Sequence, residues 1–297
     1  MEQTGYKSGF FSIVGCPNAG KSTLLNALVG QKIAIVTDRA QTTRNRITGV
    51  VTRERYQMIF LDTPGMTNPR NKLGEYMQKT AEDCLKDVEA VLYTVDTRAG
   101  VGERDTEILK RLRSSRTPVL VLLNKADIAT LLERQTAEEA VRALGYTEVY
   151  SLSALKGEGL EKLEEKLTGY LTEGPQYFPP DMVTDQPERV ICAEMIREKA
   201  LQLLKAEIPH GIGVGMDKIE TRTDGAVTDC YATIYCEKES HKGIIIGRNG
   251  SMLKKIGSEA RKDIEWLLDT HVNLQLWVKI KDDWRNKQAV LSELGYQ

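Results

Sequence analysis

The sequence predicts an α/β domain built on a doubly wound, mostly parallel sheet, followed by a smaller α+β domain. From residue 10 to about 172, short and nearly continuous aliphatic runs alternate with amphipathic helical patterns, the signature of buried parallel strands joined by helices. The segment EGPQYFPPDMVTDQPER, 173 to 189, then places prolines at 175, 179, 180 and 187, and the order of elements changes after it. At 297 residues the chain is long enough for two domains that each bury a core. The predicted boundaries are 1–175 for the first domain, 176–188 for a linker and 189–297 for the second.

Within the first domain FFSIVG, QMIFLDT, AVLYTVDT, PVLVLLNK and VYSLSA read as strands, and TLLNALVG, DTEILKRLR, TAEEAVRALG and LEKLEEKLTGYL as helices. After the linker come a helix RVICAEMIREKALQLLK, strands GVGMDKIETR and VTDCYATIYCE, and a short apolar helix with a glycine loop. A long helix SMLKKIGSEARKDIEWLLDT, a strand VNLQLWVKI and a last helix from Trp284 complete it. The order is α-β-β-α-α-β with a C-terminal helix.

Bulk composition narrows the function classes. A hydrophobic content of 41% with 28% charged residues is globular. A net charge of -1 gives no general attraction to polyanions, so a nucleic-acid surface has to be a local patch. Cysteines at 16, 84, 192, 230 and 236 contain no C-x-x-C pair, which points to reduced thiols rather than a zinc site or a disulfide framework. No apolar run approaches the roughly 20 residues of a membrane span, so a soluble cytoplasmic protein is expected, with any membrane contact peripheral.

GCPNAGKST at 15 to 23 satisfies G-x-x-x-x-G-K-[ST] between a strand and a helix. Glycines Gly15 and Gly20 let the backbone amides of this loop, including those of Asn18, Ala19, Lys21, Ser22 and Thr23, approach phosphate oxygens. Lys21 reaches the outer phosphates and Ser22 ligates magnesium. DTPG follows a strand with Asp62, Thr63, Pro64 and Gly65: the carboxylate suits a magnesium shell and the glycine amide a terminal phosphate. In NKAD, at Asn124, Lys125 and Asp127, the Asp127 carboxylate can accept from both guanine N1–H and the exocyclic amine, a pair adenine lacks. Ser153 and Ala154 end the next strand and gain meaning only from the other three motifs. Between the first two motifs VTDRAQTTRNR, 36 to 46, is polar and aperiodic, as an order-disorder switch would be; Thr43, preferred to Thr42, is its candidate magnesium ligand.

The catalytic set is therefore Lys21, Thr43 and Gly65, with Asn18 as a candidate potassium ligand. Met66 stands where Ras-like enzymes carry the glutamine that orients water, and a thioether cannot do that, so intrinsic turnover should be slow. Similar GTPases with an apolar residue there use an asparagine at the place of Asn18 to hold potassium; a turn-capping asparagine is the equal alternative.

HKGIIIGRNGSMLKKIG, 241 to 257, holds Gly247, Arg248, Asn249 and Gly250 between a short and a long helix. No Lys-Ser/Thr pair follows, so it is not a second triphosphate site. The G-x-x-G setting in an α-β-β-α-α-β order is that of a KH domain, whose loop clamps single-stranded RNA. From 238 to 262, seven basic residues, Lys254 and Lys255 among them, face two acidic ones, although 176–297 as a whole has 17 basic against 19 acidic. Ile244, Ile245 and Ile246 are expected to floor the groove beneath the bases.

In the order of its motifs the chain resembles the translation-factor-related GTPases. GCPNAGKSTLLNALVG, QTTRNRITGV, DTPGM, GIIIGRNGSMLKKIGSEARKDIE, VKIKDDWRN and the final LSELGY are similar to the bacterial Era family, a GTPase domain followed by a type II KH domain. Cys16, Ala19 and Asn249 depart from the arginine, valine and glycine that the family often carries. The resemblance implies a monomer that binds GTP or GDP with magnesium, hydrolyses GTP, binds the 3′ end of 16S ribosomal RNA and assists assembly of the small ribosomal subunit, with GTP favouring the RNA-bound state. An RNA-binding chaperone whose hydrolysis is dispensable is the competing reading, and a KH-like domain that binds protein is the third.

Overall fold

The computed structural model describes residues 5–39, 41–66, 69–205, 208–223 and 225–296. The chain divides into two compact units: Met1–Ala34, Thr43–Asn68 and Met77–Asp185 form the first, and Ile35–Thr42, Pro69–Tyr76 and Gln186–Gln297 the second. The sequence draws one contiguous border in the proline-rich stretch; the structure also assigns two short segments from inside 1–175 to the second unit.

The first unit is an α/β sheet. Its elements are β1 (Lys7–Gly15), α1 (Lys21–Val29), β2 (Ile47–Thr52), β3 (Tyr56–Asp62), α2 (Lys72–Asp83), β4 (Ala90–Asp96), α3 (Glu103–Arg113), β5 (Val119–Asn124), α4 (Leu131–Ala143), β6 (Val149–Ser151), α5 (Leu160–Thr168) and β7 (Thr172–Glu173), the first turn of α2 grouping with the second unit. The strand order is β2-β3-β1-β4-β5-β6, with β7 pairing β1. All pairings are parallel except β2 with β3 and β7 with β1. The sheet is parallel because each crossover is helical, and its strands are buried on both faces: Ile13, Leu92, Leu120 and Leu122 enter one core, Val14, Tyr93, Val121 and Leu123 the other. β1 lies between β3 and β4, where the winding reverses, so the loop at its carboxyl end opens at the switch point at which α/β sheets bind ligands.

β2 and α2 are absent from the sequence reading. ITGVVT carries a glycine and two threonines, a weak strand pattern in isolation, and is fixed by its antiparallel register on β3 from Ile47↔Asp62 to Thr52↔Gln57. The stretch read as a linker is pinned to its own unit: Val50 N–H donates to Val183 O at 2.9 Å, Thr184 Oγ1 to Thr48 O at 2.7 Å, and the Gln57 amide exchanges hydrogen bonds with the Phe178 backbone.

The second unit holds α6 (Glu188–Leu203), β8 (Gly213–Thr221), β9 (Val227–Cys236), α7 (Glu239–Ile246), α8 (Ser251–Leu268), β10 (His271–Ile280) and α9 (Gln288–Glu293). Its sheet runs β10-β9-β8, antiparallel between β8 and β9 and parallel between β9 and β10. α6 and α8 close one side over a core of Cys192, Ile196, Ile234, Ile256, Ala260 and Ile264. All five cysteines are free thiols, and burial pushes those of Cys16, Cys84 and Cys230 up to about 11.

Candidate functional site

In the first unit the carboxyl ends of the parallel strands bring the nucleotide motifs together. Residues 16–20 leave β1 and α1 begins at Lys21, so the N-terminal amides of that helix face the loop. Asn18 takes a left-handed φ of 65°, and Gly20 follows at 93°. A side chain at Gly20 is excluded twice over: by that φ and by Asn124 Nδ2, 2.3 Å from where a Cβ would stand. Lys21, 6% exposed, donates from Nζ to the carbonyls of Gly15 at 3.1 Å and Cys16 at 3.0 Å, which arches the loop around its ammonium.

Ser22 sits at the centre of the polar cluster. Its Oγ lies 2.9 Å from Thr43 Oγ1 and donates to Asp62 Oδ2 at 2.6 Å. The second oxygen of the fully buried Asp62, Oδ1, has no hydrogen-bond partner among the described residues. Two hydroxyls and a buried, half-satisfied carboxylate form a hard oxygen set that fits magnesium, which keeps its remaining positions for water and phosphate. Burial, opposed by the ammonium of Lys21, pushes the Asp62 carboxyl up to about 6, and burial likewise lowers Lys21.

Asn124 and Lys125 brace the loop. Asn124, at the end of β5, donates from Nδ2 to Ala19 O at 2.9 Å and accepts the Ala154 N–H on Oδ1 at 3.0 Å. Lys125 Nζ reaches Asn18 O at 2.7 Å and Asp96 Oδ2 at 2.6 Å. Asp127 is partly exposed two residues on, and Ser153 is buried with its Oγ accepting the Lys156 N–H. Thr63 turns inward and donates to Ile13 O, Pro64 is buried, and Gly65 and Met66 follow partly exposed. Met66 packs against the core cluster that holds Val14 and Tyr93, as does Cys16, whose Sγ lies 3.9 Å from the Tyr93 hydroxyl.

In the second unit a groove of about 350 Å³ runs between α8 and β10. Gly250, Leu253, Lys254, Gly257, Ser258 and Arg261 line one side, and Asn273, Leu274 and Leu276 the other. Two cations and no carboxylate among these residues, with leucines between, suit a phosphate backbone whose bases lie on an apolar surface. The loop at its end is built from left-handed residues: Gly247 at φ 73°, Asn249 at 52° and Gly250 at 76°. Asparagine tolerates this region better than most side chains, so Asn249 suits the turn it occupies.

Ile244, Ile245 and Ile246, expected beneath the bases, are not among the residues that line this groove. Ile245 is fully buried in the core with Ile196 and Ile256, Ile246 is partly buried, and Ile244 is half exposed. Successive residues on a helix point about 100° apart, so three in a row cannot share one face. Leu253, Leu274 and Leu276 provide the apolar surface instead.

Residues 10–125 match the family of 50S ribosome-binding GTPases, and residues 207–285 match the KH domain family. The chain is 50% identical over 295 residues to the GTPase Era of Clostridioides difficile, covering 98% of this chain and 99% of that protein. It is 45% identical to the GTPase Era of Staphylococcus haemolyticus, with 99% and 98% covered. The chain belongs to the Era GTPase family. A crystal structure of Era in complex with MgGDPNP and nucleotides 1506–1542 of 16S ribosomal RNA superposes with a TM-score of 0.93, at 38% identity over 98% of this chain and 99% of that one. An Aquifex aeolicus Era variant bound to GDP and AlF4− gives 0.92 over the same coverage.

Against this Era fold, the groove residues contributed by β10 are those that sequence reasoning missed. Leu274 and Leu276 alternate with exposed Gln275 and Trp277, which marks one face of a strand but not that α8 leaves part of that face open. Arg261, two turns beyond Lys254 on α8, was legible as charge and not as lining.

Proposed function

We propose that the protein is a GTP-hydrolysing switch that binds 16S ribosomal RNA near its 3′ end and assists assembly of the small ribosomal subunit. The observation that carries the reading is Ser22 Oγ, which meets Thr43 Oγ1 and Asp62 Oδ2 at once beside the Lys21 ammonium. What one solved relative holds, a magnesium nucleotide and an RNA fragment together, supports extending it to the groove.

Lys21 holds positive charge where the outer phosphates would lie, and exchanges its carbonyl partners for theirs. Ser22, Thr43 and Asp62 hold the metal, which when bound supplies charge against the phosphate oxygens. Thr43 completes that set only while residues 36–42 hold it there. Asp127 selects guanine. Met66 offers the attacking water no hydrogen bond, so turnover is slow, and potassium held by Asn18 would raise it. The same reading places the protein in the cytoplasm, with any membrane contact peripheral.

Crosslinking in cells of the wild-type and a GTP-locked form, followed by sequencing of bound RNA, tests the assignment: reads concentrate at the 3′ end of 16S rRNA. A scatter of unrelated RNAs overturns it. Rescue of small-subunit assembly by a variant that binds GTP but cannot hydrolyse it decides for the chaperone alternative. Equal turnover in KCl and NaCl removes potassium.

A further inference from the structure

Helix α6 buries two charges whose partners lie far away in the sequence. Arg197 is 0% and Glu198 2% exposed. Arg197 pairs with Glu194 one turn earlier and also donates from Nη2 to the carbonyl of Thr42. The Val36 N–H donates to Glu198 Oε1 at 2.8 Å. Gln202 and Arg39 add side-chain to backbone bonds at 3.3 Å and 3.4 Å, from Gln202 to Val36 O and from Arg39 to Leu204 O. These bonds explain why Ile35–Thr42 groups with the second unit. An interior that needed only filling would use apolar residues, because a buried guanidinium and carboxylate each cost several kcal/mol in desolvation unless well paired.

The network continues towards the groove. Lys199 Nζ lies 3.0 Å from Glu198 Oε2 and 2.6 Å from Asp263 Oδ2, and Asp263 belongs to α8, the helix that starts at the glycine loop and lines the groove with Lys254, Gly257 and Arg261. In the other direction the Thr42 carbonyl is one peptide bond from Thr43, whose hydroxyl lies at Ser22. The stretch after Gly65 shows a parallel arrangement: the Lys72 N–H donates to Asn286 Oδ1 at 3.2 Å, and the Tyr76 and Tyr296 rings lie 6.0 Å apart. Chain segments that follow Ala34 and Asn68 thus belong to the second unit.

We propose that Arg197, Glu198 and Lys199 are positioning residues that couple the groove to the nucleotide site, α8 acting through Asp263 and Lys199 on the segment that presents Thr43. The inference rests on the GTP-gated RNA-binding reading and adds the residues that carry the gate. Loss of these contacts would leave Glu198 without the Val36 N–H and Arg197 without the Thr42 carbonyl in a buried setting, a cost that favours the held arrangement of Val36 and Thr42. Coupling of this kind is reciprocal: the factor by which GTP tightens RNA binding equals the factor by which RNA tightens GTP binding.

The test measures that factor in the full-length protein. Affinity for a single-stranded RNA of the 16S 3′ end is determined with GDPNP and with GDP, and affinity for GDPNP with and without that RNA. The wild-type ratio is expected between about 5 and 150, the usual range of allosteric coupling, and equal in both directions. Lys199→Met and Asp263→Asn should bring both ratios close to one while GDP affinity and the thermal midpoint stay near wild type. Arg197→Met should raise the magnesium concentration needed for half-maximal GDPNP binding, and Arg197→Lys should recover part of it; a merely structural role would not move that readout. If Arg197→Met fails to fold, Asp263→Asn, a near-isosteric change at a partly exposed site, still decides. Ratios retained in Lys199→Met and Asp263→Asn overturn the relay alone. A wild-type ratio of one overturns the GTP-gated reading and the relay with it.

Discussion

Asn124 and Ala19 are joined across the sheet: the buried Asn124 Nδ2 donates to the Ala19 carbonyl at 2.9 Å, while Oδ1 of the same amide takes the Ala154 N–H. One side chain thereby braces the phosphate loop against the loop after β6. Asn124→Ala leaves a carbonyl and an amide buried without partners, at about 1–3 kcal/mol each. Titration calorimetry should show GDP affinity at least about tenfold weaker, tenfold being about 1.4 kcal/mol, with nucleotide-free RNA affinity unchanged. Undiminished GDP affinity would show that the brace does not shape the loop.

Asp62 makes the nucleotide-free protein sensitive to pH in an unusual direction. Its carboxyl titrates near 6 in the folded chain and near 3.8 when exposed. Between those values the folded state keeps a proton that the unfolded state has released. Stability of the nucleotide-free protein should therefore decrease as pH rises from about 4 to about 6, as far as this group is concerned. Magnesium requires the carboxylate, so its affinity should move the opposite way, weakening below about pH 6. Denaturant midpoints and magnesium titrations across pH 4.5 to 7.5 check both signs, with Asp62→Asn as the variant that loses both dependences.

The first unit was more legible than the second because phosphate chemistry is local. Gly15, Gly20, Lys21 and Ser22 lie within eight residues, and their spacing alone states what they do. The groove is assembled from α8 and β10, and its leucines are indistinguishable in sequence from core leucines such as Leu24. Arg197, Glu198 and Lys199 look in sequence like ordinary solvated helix charges, and only the fold reveals that the partners of Arg197 and Glu198, Thr42 and Val36, arrive from more than 150 residues away. The polar, aperiodic character of the stretch around Thr43 was readable, whereas the contacts that Val36 and Thr42 make were not.

Lys254 and Arg261 are the cations that line the groove, and both are exposed. If each meets a phosphate, Lys254→Gln and Arg261→Gln should weaken binding of all single-stranded sequences by similar factors. Each should also reduce the slope of log K against log salt by about 0.7, the value for one contact on a single strand. Lys255, exposed on the same helix but outside the lining, should leave the slope unchanged when replaced by glutamine. A slope insensitive to all three changes would move the phosphate contacts elsewhere.

The isoleucine run gives a test that separates core from surface. Ile245, fully buried against Ile196 and Ile256, should cost about 2–5 kcal/mol on replacement by alanine, the range for a large aliphatic deleted from a packed interior. Its neighbour Ile244 is 50% exposed and should cost well under half a kcal/mol beyond its lost surface contacts. Denaturant unfolding followed by Trp284 fluorescence reports on the right unit, because that indole is buried in it and donates to Gly211 O at 2.9 Å. The groove assignment predicts a further asymmetry: Leu276→Ala should weaken RNA binding more than Ile244→Ala. The reverse order would return the apolar floor to α7, and with it the phosphate path to the short helix instead of the α8–β10 groove.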